Sequence, residues 1–132
     1  MSERKIVRVR DVMRSEFDTV DSMATIEQAL DSMQYPDNKC LIVEKRHEDD
    51  EFGLLLISDV ARKVLAQDRP PDRVNVYEVM QKPIIFVDSA MDIRYCARLL
   101  ERFDLTRTPV IDNGEVVGIV SFTLLVLRGM RR

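Results

Sequence analysis

Asp11-Val12-Met13, then Phe17-Asp18-Thr19-Val20-Asp21-Ser22 and Ile26, returns later as Glu78-Val79-Met80, then Ile84-Ile85-Phe86-Val87-Asp88-Ser89 and Ile93. Val12/Val79, Met13/Met80, Val20/Val87, Asp21/Asp88, Ser22/Ser89 and Ile26/Ile93 share one offset (80 − 13 = 67 residues). Identities in one ungapped register mean that a single supersecondary unit is used twice. A ligand site in such a chain is expected where the two copies meet.

Working outward from that stretch, the second copy reads most cleanly. Val76 to Met80 is a short helical lead-in ended by Pro83, and Ile84-Ile85-Phe86-Val87 is an apolar, β-branched run expected as a buried strand. Asp88 or Ser89 offers a side-chain oxygen to a helix start, with Asp92 in the first turn. Ile93, Ala97, Leu100 and Phe103 then form an apolar helical stripe. Thr108 to Ile111 and Val116 to Val120 are two strands joined through Asn113-Gly114, a pair suited to the positive φ angles of a tight hairpin. Ser121 or Thr123 caps a last helix over Leu124 to Met130.

The first copy repeats that order. Its strand is Phe17 to Val20, its helix carries Ile26, Ala29, Leu30 and Met33, and Pro36 closes the connection. Lys39 to Val43 pairs with Gly53 to Ile57, and Ser58 caps a helix from Asp59 to Leu65. The hairpin here is longer because it carries His47-Glu48-Asp49-Asp50-Glu51. Those carboxylates can attract a divalent cation, but they read first as a solvated hairpin tip. The expected fold is α+β: two βαββα repeats, residues 6–67 and 74–132, joined by a polar, proline-containing linker at 68–73. At roughly 60 residues, each copy is marginal alone. The two should therefore pack face to face with pseudo-two-fold symmetry.

Composition narrows the function. With 132 residues, 45% hydrophobic and 33% charged, the chain is globular rather than disordered. A net charge of −3 and a pI near 5.2 argue against a nucleic-acid partner. The Arg128, Arg131 and Arg132 cluster reads as helix-end charge complementing a dipole. No apolar run is long enough for a membrane span, and Met1-Ser2-Glu3-Arg4-Lys5 leads into no signal-peptide core, so the cytoplasm is the expected compartment. Cys40 and Cys96 have no metal-ligand or disulfide spacing, and His47 is the single histidine. No metal site is expected. No nucleophile–base pair can be named either, and the inventory does not look like that of an enzyme. The last helix, with Phe122, Leu124, Leu125, Val126 and Leu127, lacks a polar face over nearly two turns. Burial on a second side, by another copy in a homodimer, is the expected consequence.

These pieces resemble the tandem cystathionine-β-synthase (CBS) domain pair, or Bateman module. The resemblance rests on Val12-Met13 and Val79-Met80, on Thr108-Pro109-Val110-Ile111-Asp112, and on Gly118-Ile119-Val120-Ser121, and it runs from about Val9 to Leu127. It implies a regulatory module whose clefts bind adenosine ligands as regulatory molecules rather than required cofactors. AMP, ADP or ATP come first, with S-adenosylmethionine, NAD and cyclic dinucleotides used by some members. The output would pass to an effector protein that the sequence does not name. The family's junction is written Gly, two apolar residues, Thr or Ser, two variable residues, then an Asp that binds the ribose hydroxyls. Gly53-Leu54-Leu55-Leu56-Ile57-Ser58-Asp59 keeps the Asp but has Leu56 for the hydroxyl residue. Gly118-Ile119-Val120-Ser121-Phe122-Thr123-Leu124 keeps the hydroxyl but has Leu124 for the Asp.

The candidate ligand residues are therefore Asp59, Ser58, Ser121 and Thr123, which are also the residue types that cap helices. Lys39, Arg107 and Lys82 are candidate phosphate partners, and Thr108 a candidate lining residue. The alternative reading is a degenerate pair that binds no nucleotide and works as a dimerisation or docking scaffold.

Overall fold

The computed structural model describes residues 5–131, and within them the chain forms two compact units. One unit is Phe17–Ile84; the other joins the chain up to Glu16 with the chain from Ile85 onward. The first four residues and Arg132, which belong to the N-terminal and arginine-cluster readings above, lie outside the described residues.

In the Phe17–Ile84 unit, β1 (Thr19–Val20) runs parallel to β2 (Cys40–Val43), which pairs antiparallel with β3 (Gly53–Leu56). Helix α2 (Ile26–Ser32) starts at Thr25, whose hydroxyl accepts from the Gln28 amide while the Gln28 side chain accepts from the Thr25 amide. That reciprocal pair satisfies two donors that a helix start otherwise leaves open. Its core gathers Ile26, Leu41, Leu55, Val76 and Val79. In the other unit, β4 (Arg107–Asp112) and β5 (Glu115–Ser121) form an antiparallel hairpin. Helices α1 (Val9–Val12), α4 (Ile93–Arg102) and α5 (Phe122–Gly129) pack around Val9, Val12, Cys96, Leu100, Val110 and Leu125. Asn113 and Gly114 both have positive φ, 52° and 79°, as the hairpin reading requires.

The compact units do not follow the repeat boundaries, because each repeat's lead-in packs with the strands of the other repeat. Arg14, at the start of repeat one, exchanges two backbone hydrogen bonds with Ile119 at 2.9 Å each. Gln81, its counterpart 67 residues on, does the same with Leu54 at 2.8 and 3.0 Å. Each lead-in thus covers a strand edge that would otherwise stand open. The same crossing buries Val12 and Val79 completely, and this explains why the repeat holds those two positions.

Several local expectations need correction. Ile84 to Val87 forms no buried strand: it meets its neighbour through a single bridge, Val87 to Val110, and Phe86 is exposed. The Ile85 carbonyl is taken by the Thr108 hydroxyl, and Pro109 has no N–H to give the ladder. Helix α4 is capped by Asp92, whose carboxylate accepts from the Arg94 amide at 2.8 Å, and not by Asp88 or Ser89. Ser89 instead donates its amide and hydroxyl to Asp112. The α4 stripe buries Cys96 and Leu100 and leaves Phe103 exposed. Ser58 caps nothing. Helix α3 (Ile57–Val60) begins two residues earlier than the expected Asp59, with Leu56 at the cap position, and continues over Ala61–Leu65 in wider turns such as Ala66 N–H to Ala61 C=O, 2.8 Å. The last helix starts at Phe122, two residues before the expected Leu124.

Candidate functional site

The two strand-to-helix junctions carry the candidate residues, and each is built differently. At the end of β3, Leu56 turns the chain into α3, and the Ile57 amide donates to the Lys39 carbonyl at 3.1 Å. Two residues on, Asp59 is 7% exposed, and both its oxygens are engaged by side chains. Gln81 Nε2 donates to Oδ2 at 3.1 Å, and an Arg62 guanidinium nitrogen donates to Oδ1 at 3.3 Å. The Arg62 side chain is 72% exposed, so water screens that pair and it holds weakly. Gln81 is firmly placed by its backbone bonds to Leu54. Among the described residues the donors on this buried carboxylate are side chains, which an incoming donor could replace one for one.

Ser58 lies beside Asp59 with an exposed side chain. Lys39 is also exposed, at φ 60°, and its carbonyl ties it to the same junction. Lys82 is committed elsewhere: its Nζ lies 2.6 Å from Asp50 Oδ1. Asp50 also accepts from the Arg46 amide at 2.9 Å. The Lys82 hydrogen bond, then the backbone donors, hold the Asp50 carboxyl far below the usual carboxylate range. The acidic hairpin is therefore anchored at Asp50, while Glu48 and Asp49 stand in solvent as expected for a tip.

The second junction replaces the carboxylate with a cap. Ser121 ends β5, is buried, and its Oγ accepts from the Leu124 amide at 3.2 Å. Leu124 occupies the position equivalent to Asp59 and is buried. Thr123 is exposed. Thr108 is buried and its hydroxyl donates to the Ile85 carbonyl at 2.5 Å, so its polar group serves the fold. Arg107 is the first residue of β4, opposite Ser121. The backbone bond from Phe122 N–H to Thr106 C=O, 3.0 Å, matches that from Ile57 to Lys39. Lys39 thus corresponds to Thr106, and Arg107 stands one residue further along.

The structure thus brings Asp59, Ser58 and Lys39 together at one junction, and Ser121, Thr123, Arg107 and Thr108 at the other. Gln81 was missed by sequence reasoning. Its signal was present in the 67-residue offset, which pairs it with Arg14, but nothing local shows that a lead-in reaches the other repeat's junction.

Other charged groups serve the scaffold. Arg94 hydrogen bonds hold Asp92 down to about 2, and Ser89 holds the Asp112 carboxyl below its ordinary range. Burial pushes the Cys96 thiol up to about 11, so it is no nucleophile near neutrality, and Cys40 is likewise buried and outside any disulfide. Arg128 donates to the carbonyls of Val12 and Met13 at the end of α1, a helix-end role like the one expected for the arginine cluster. Among the described residues no three His, Cys, Asp or Glu side chains are grouped to hold a metal ion, and no helix is long and apolar enough to cross a membrane.

Comparison with known proteins gives a consistent picture. The family model for the CBS domain matches residues 9–66 and 76–127. An uncharacterised protein of Methanopyrus kandleri is 30% identical over 81 residues, 61% of this chain. The match spans 41% of that longer relative. The hexameric CBS-CP12 protein from bloom-forming cyanobacteria superposes with a TM-score of 0.90 at 30% identity, over 95% of this chain and 72% of the other. A CBS domain pair solved in complex with 5′-methylthioadenosine and S-adenosyl-L-methionine shares the fold, with a TM-score of 0.80 at 22% identity, covering 97% of this chain and all of that one. With both repeats matched in the expected order, the chain belongs to the CBS domain family.

Proposed function

We propose that this chain is a non-catalytic regulatory module that binds an adenosine ligand at the junction carrying Asp59 and passes its occupancy to a partner protein. One observation carries the reading: Asp59 is a buried carboxylate that, among the described residues, accepts from the side chains of Gln81 and Arg62. A ribose diol offers two donors at similar spacing and would replace both. Lys39 and Ser58 stand beside it for the remainder of the ligand, and AMP, ADP or ATP is preferred over S-adenosylmethionine or NAD. The solved relative holding two adenosine compounds supports the ligand class. Self-association, as a homodimer, belongs to the same reading. It is supported by the hexameric relative and by the exposed apolar residues Val126, Leu127 and Met130 on α5 and just beyond it.

One observation favours the scaffold alternative: Leu56 and Leu124 leave neither junction with the family's full set. Thermal shift and calorimetry with AMP, ADP, ATP, S-adenosylmethionine and NAD separate the two. A sensor at ligand concentrations of about 100 Kd gains roughly 2.7 kcal/mol of stability. A scaffold gains nothing from any of them at millimolar concentration.

A further inference from the structure

Two consecutive lead-in residues, Gln81 and Lys82, hold two different parts of the Phe17–Ile84 unit. Gln81 Nε2 donates to Asp59 Oδ2 at 3.1 Å, while the Gln81 backbone exchanges hydrogen bonds with Leu54 at 2.8 and 3.0 Å. Lys82 Nζ lies 2.6 Å from Asp50 Oδ1, with the two side chains 27% and 14% exposed. Asp50 also closes the hairpin tip: its Oδ2 accepts from the Arg46 amide at 2.9 Å, and its own amide donates to the His47 carbonyl at 3.1 Å. The lead-in is thus pinned to the candidate ligand carboxylate by one residue and to the acidic tip by the next.

The 67-residue offset separates what belongs to the repeat from what is particular to this junction. Arg14, the counterpart of Gln81, makes the same backbone pair with Ile119. The side chains differ. Leu124 stands where Asp59 does, Ser15 where Lys82 does, and the second hairpin turns through Asn113-Gly114 with no acidic tip. The backbone crossing is therefore common scaffold. The two side-chain contacts occur together, at the one junction that keeps a carboxylate.

We propose that Gln81 is a built-in competitor for the Asp59 junction, and that the Asp50–Lys82 ion pair sets how firmly it competes. This rests on the reading of Asp59 as a ligand carboxylate and adds how that site is regulated. A backbone clamped on Leu54 keeps the carboxamide at high effective concentration beside Asp59. A ligand diol must displace it, so the bond from Gln81 is subtracted from the ligand's binding free energy. By linkage, whatever loosens the lead-in raises affinity, and a bound ligand loosens the lead-in by the same factor.

The test uses Gln81→Met, which keeps the length and deletes the donor, and Asp50→Asn, which uncharges the latch and leaves Asp59 and its donors in place. In calorimetric titrations with AMP, ADP and ATP, Gln81→Met should bind about 10-fold more tightly than wild type. Asp50→Asn should bind about 2- to 5-fold more tightly. Without nucleotide, hydrogen exchange at the Gln81 amide should quicken about 2- to 5-fold in Asp50→Asn, while the Arg14 amide exchanges as in wild type. Circular dichroism confirms that both variants are folded. A nucleotide bound by Gln81→Met and too weakly by wild type to measure would support the competitor outright. A wild type that binds, with Gln81→Met binding no more tightly, would overturn the competitor and leave the ligand site standing. Binding by neither would overturn both. Unchanged exchange at Gln81 in Asp50→Asn would overturn the latch.

Discussion

The two junctions occupy equivalent positions in the repeat and carry different polar groups. The junction after β3 keeps a buried carboxylate and has no side-chain cap; the junction after β5 keeps the cap and has leucine in place of the carboxylate. The difference shows why a helix cap and a ligand contact are separable. A cap needs a short hydroxyl at the residue before the helix, while a ribose contact needs a carboxylate three residues later on a buried face. On the proposed reading, one junction has become scaffold, and the other has kept the group that can hold a ligand.

The strongest way to break that contrast is to give the second junction the missing group. Leu124→Asp buries a carboxylate and removes a buried leucine side chain, and should cost about 2 to 5 kcal/mol in urea unfolding. If it costs nothing, the second junction is more polar than its packing shows.

The equivalent glycines sharpen the comparison. A Cβ at Gly118 would sit 2.6 Å from the Arg14 carbonyl oxygen and 2.8 Å from Met13 Sδ. At Gly53 the nearest atoms are Met80 Sδ at 3.0 Å and Val43 Cβ at 3.1 Å. Backbone cannot retreat as a methionine sulfur can. Gly118→Ala should therefore lose about 2 to 3 kcal/mol and Gly53→Ala about 1 kcal/mol or less, read as the difference in melting temperature. The reverse order would mean that the lead-in covers the two strand edges differently from the structure.

A smaller effect separates the two serines. Ser121→Ala removes a working cap and should cost about 1 kcal/mol. Ser58→Ala removes an exposed hydroxyl and should stay within about 0.5 kcal/mol. Equal losses from the two would put a second cap on α3.

Much of this was legible in the chain. The repeat offset fixed the order of elements, and Asn113-Gly114 fixed one hairpin, because only a few residue types accept two successive positive φ angles. The asymmetry of Asp59 and Leu124 could be read directly. Helix starts were less legible, since Asp88, Ser89 and Asp92 all have capping side chains and only the three-dimensional path decides among them. The expected strand at Ile84 to Val87 failed for a similar reason: apolar content favours extension, but ladder bonds depend on what Thr108 and Pro109 offer across the gap. The role of Gln81, and the ion pair of Lys82 with Asp50, depend on the lead-in crossing over. A local pattern does not encode such a crossing.

Calorimetric titration of Asp59→Asn against wild type tests the central claim most directly. Asparagine keeps the shape and removes the charge. Wild type is expected to bind at least one of AMP, ADP, ATP, S-adenosylmethionine or NAD. Asp59→Asn should weaken that ligand by roughly 10- to 100-fold, as expected for lost bonds to a charged acceptor, and Ser121→Ala should leave it unchanged. Wild-type binding that survives undiminished in a folded Asp59→Asn protein would contradict the assignment of this junction.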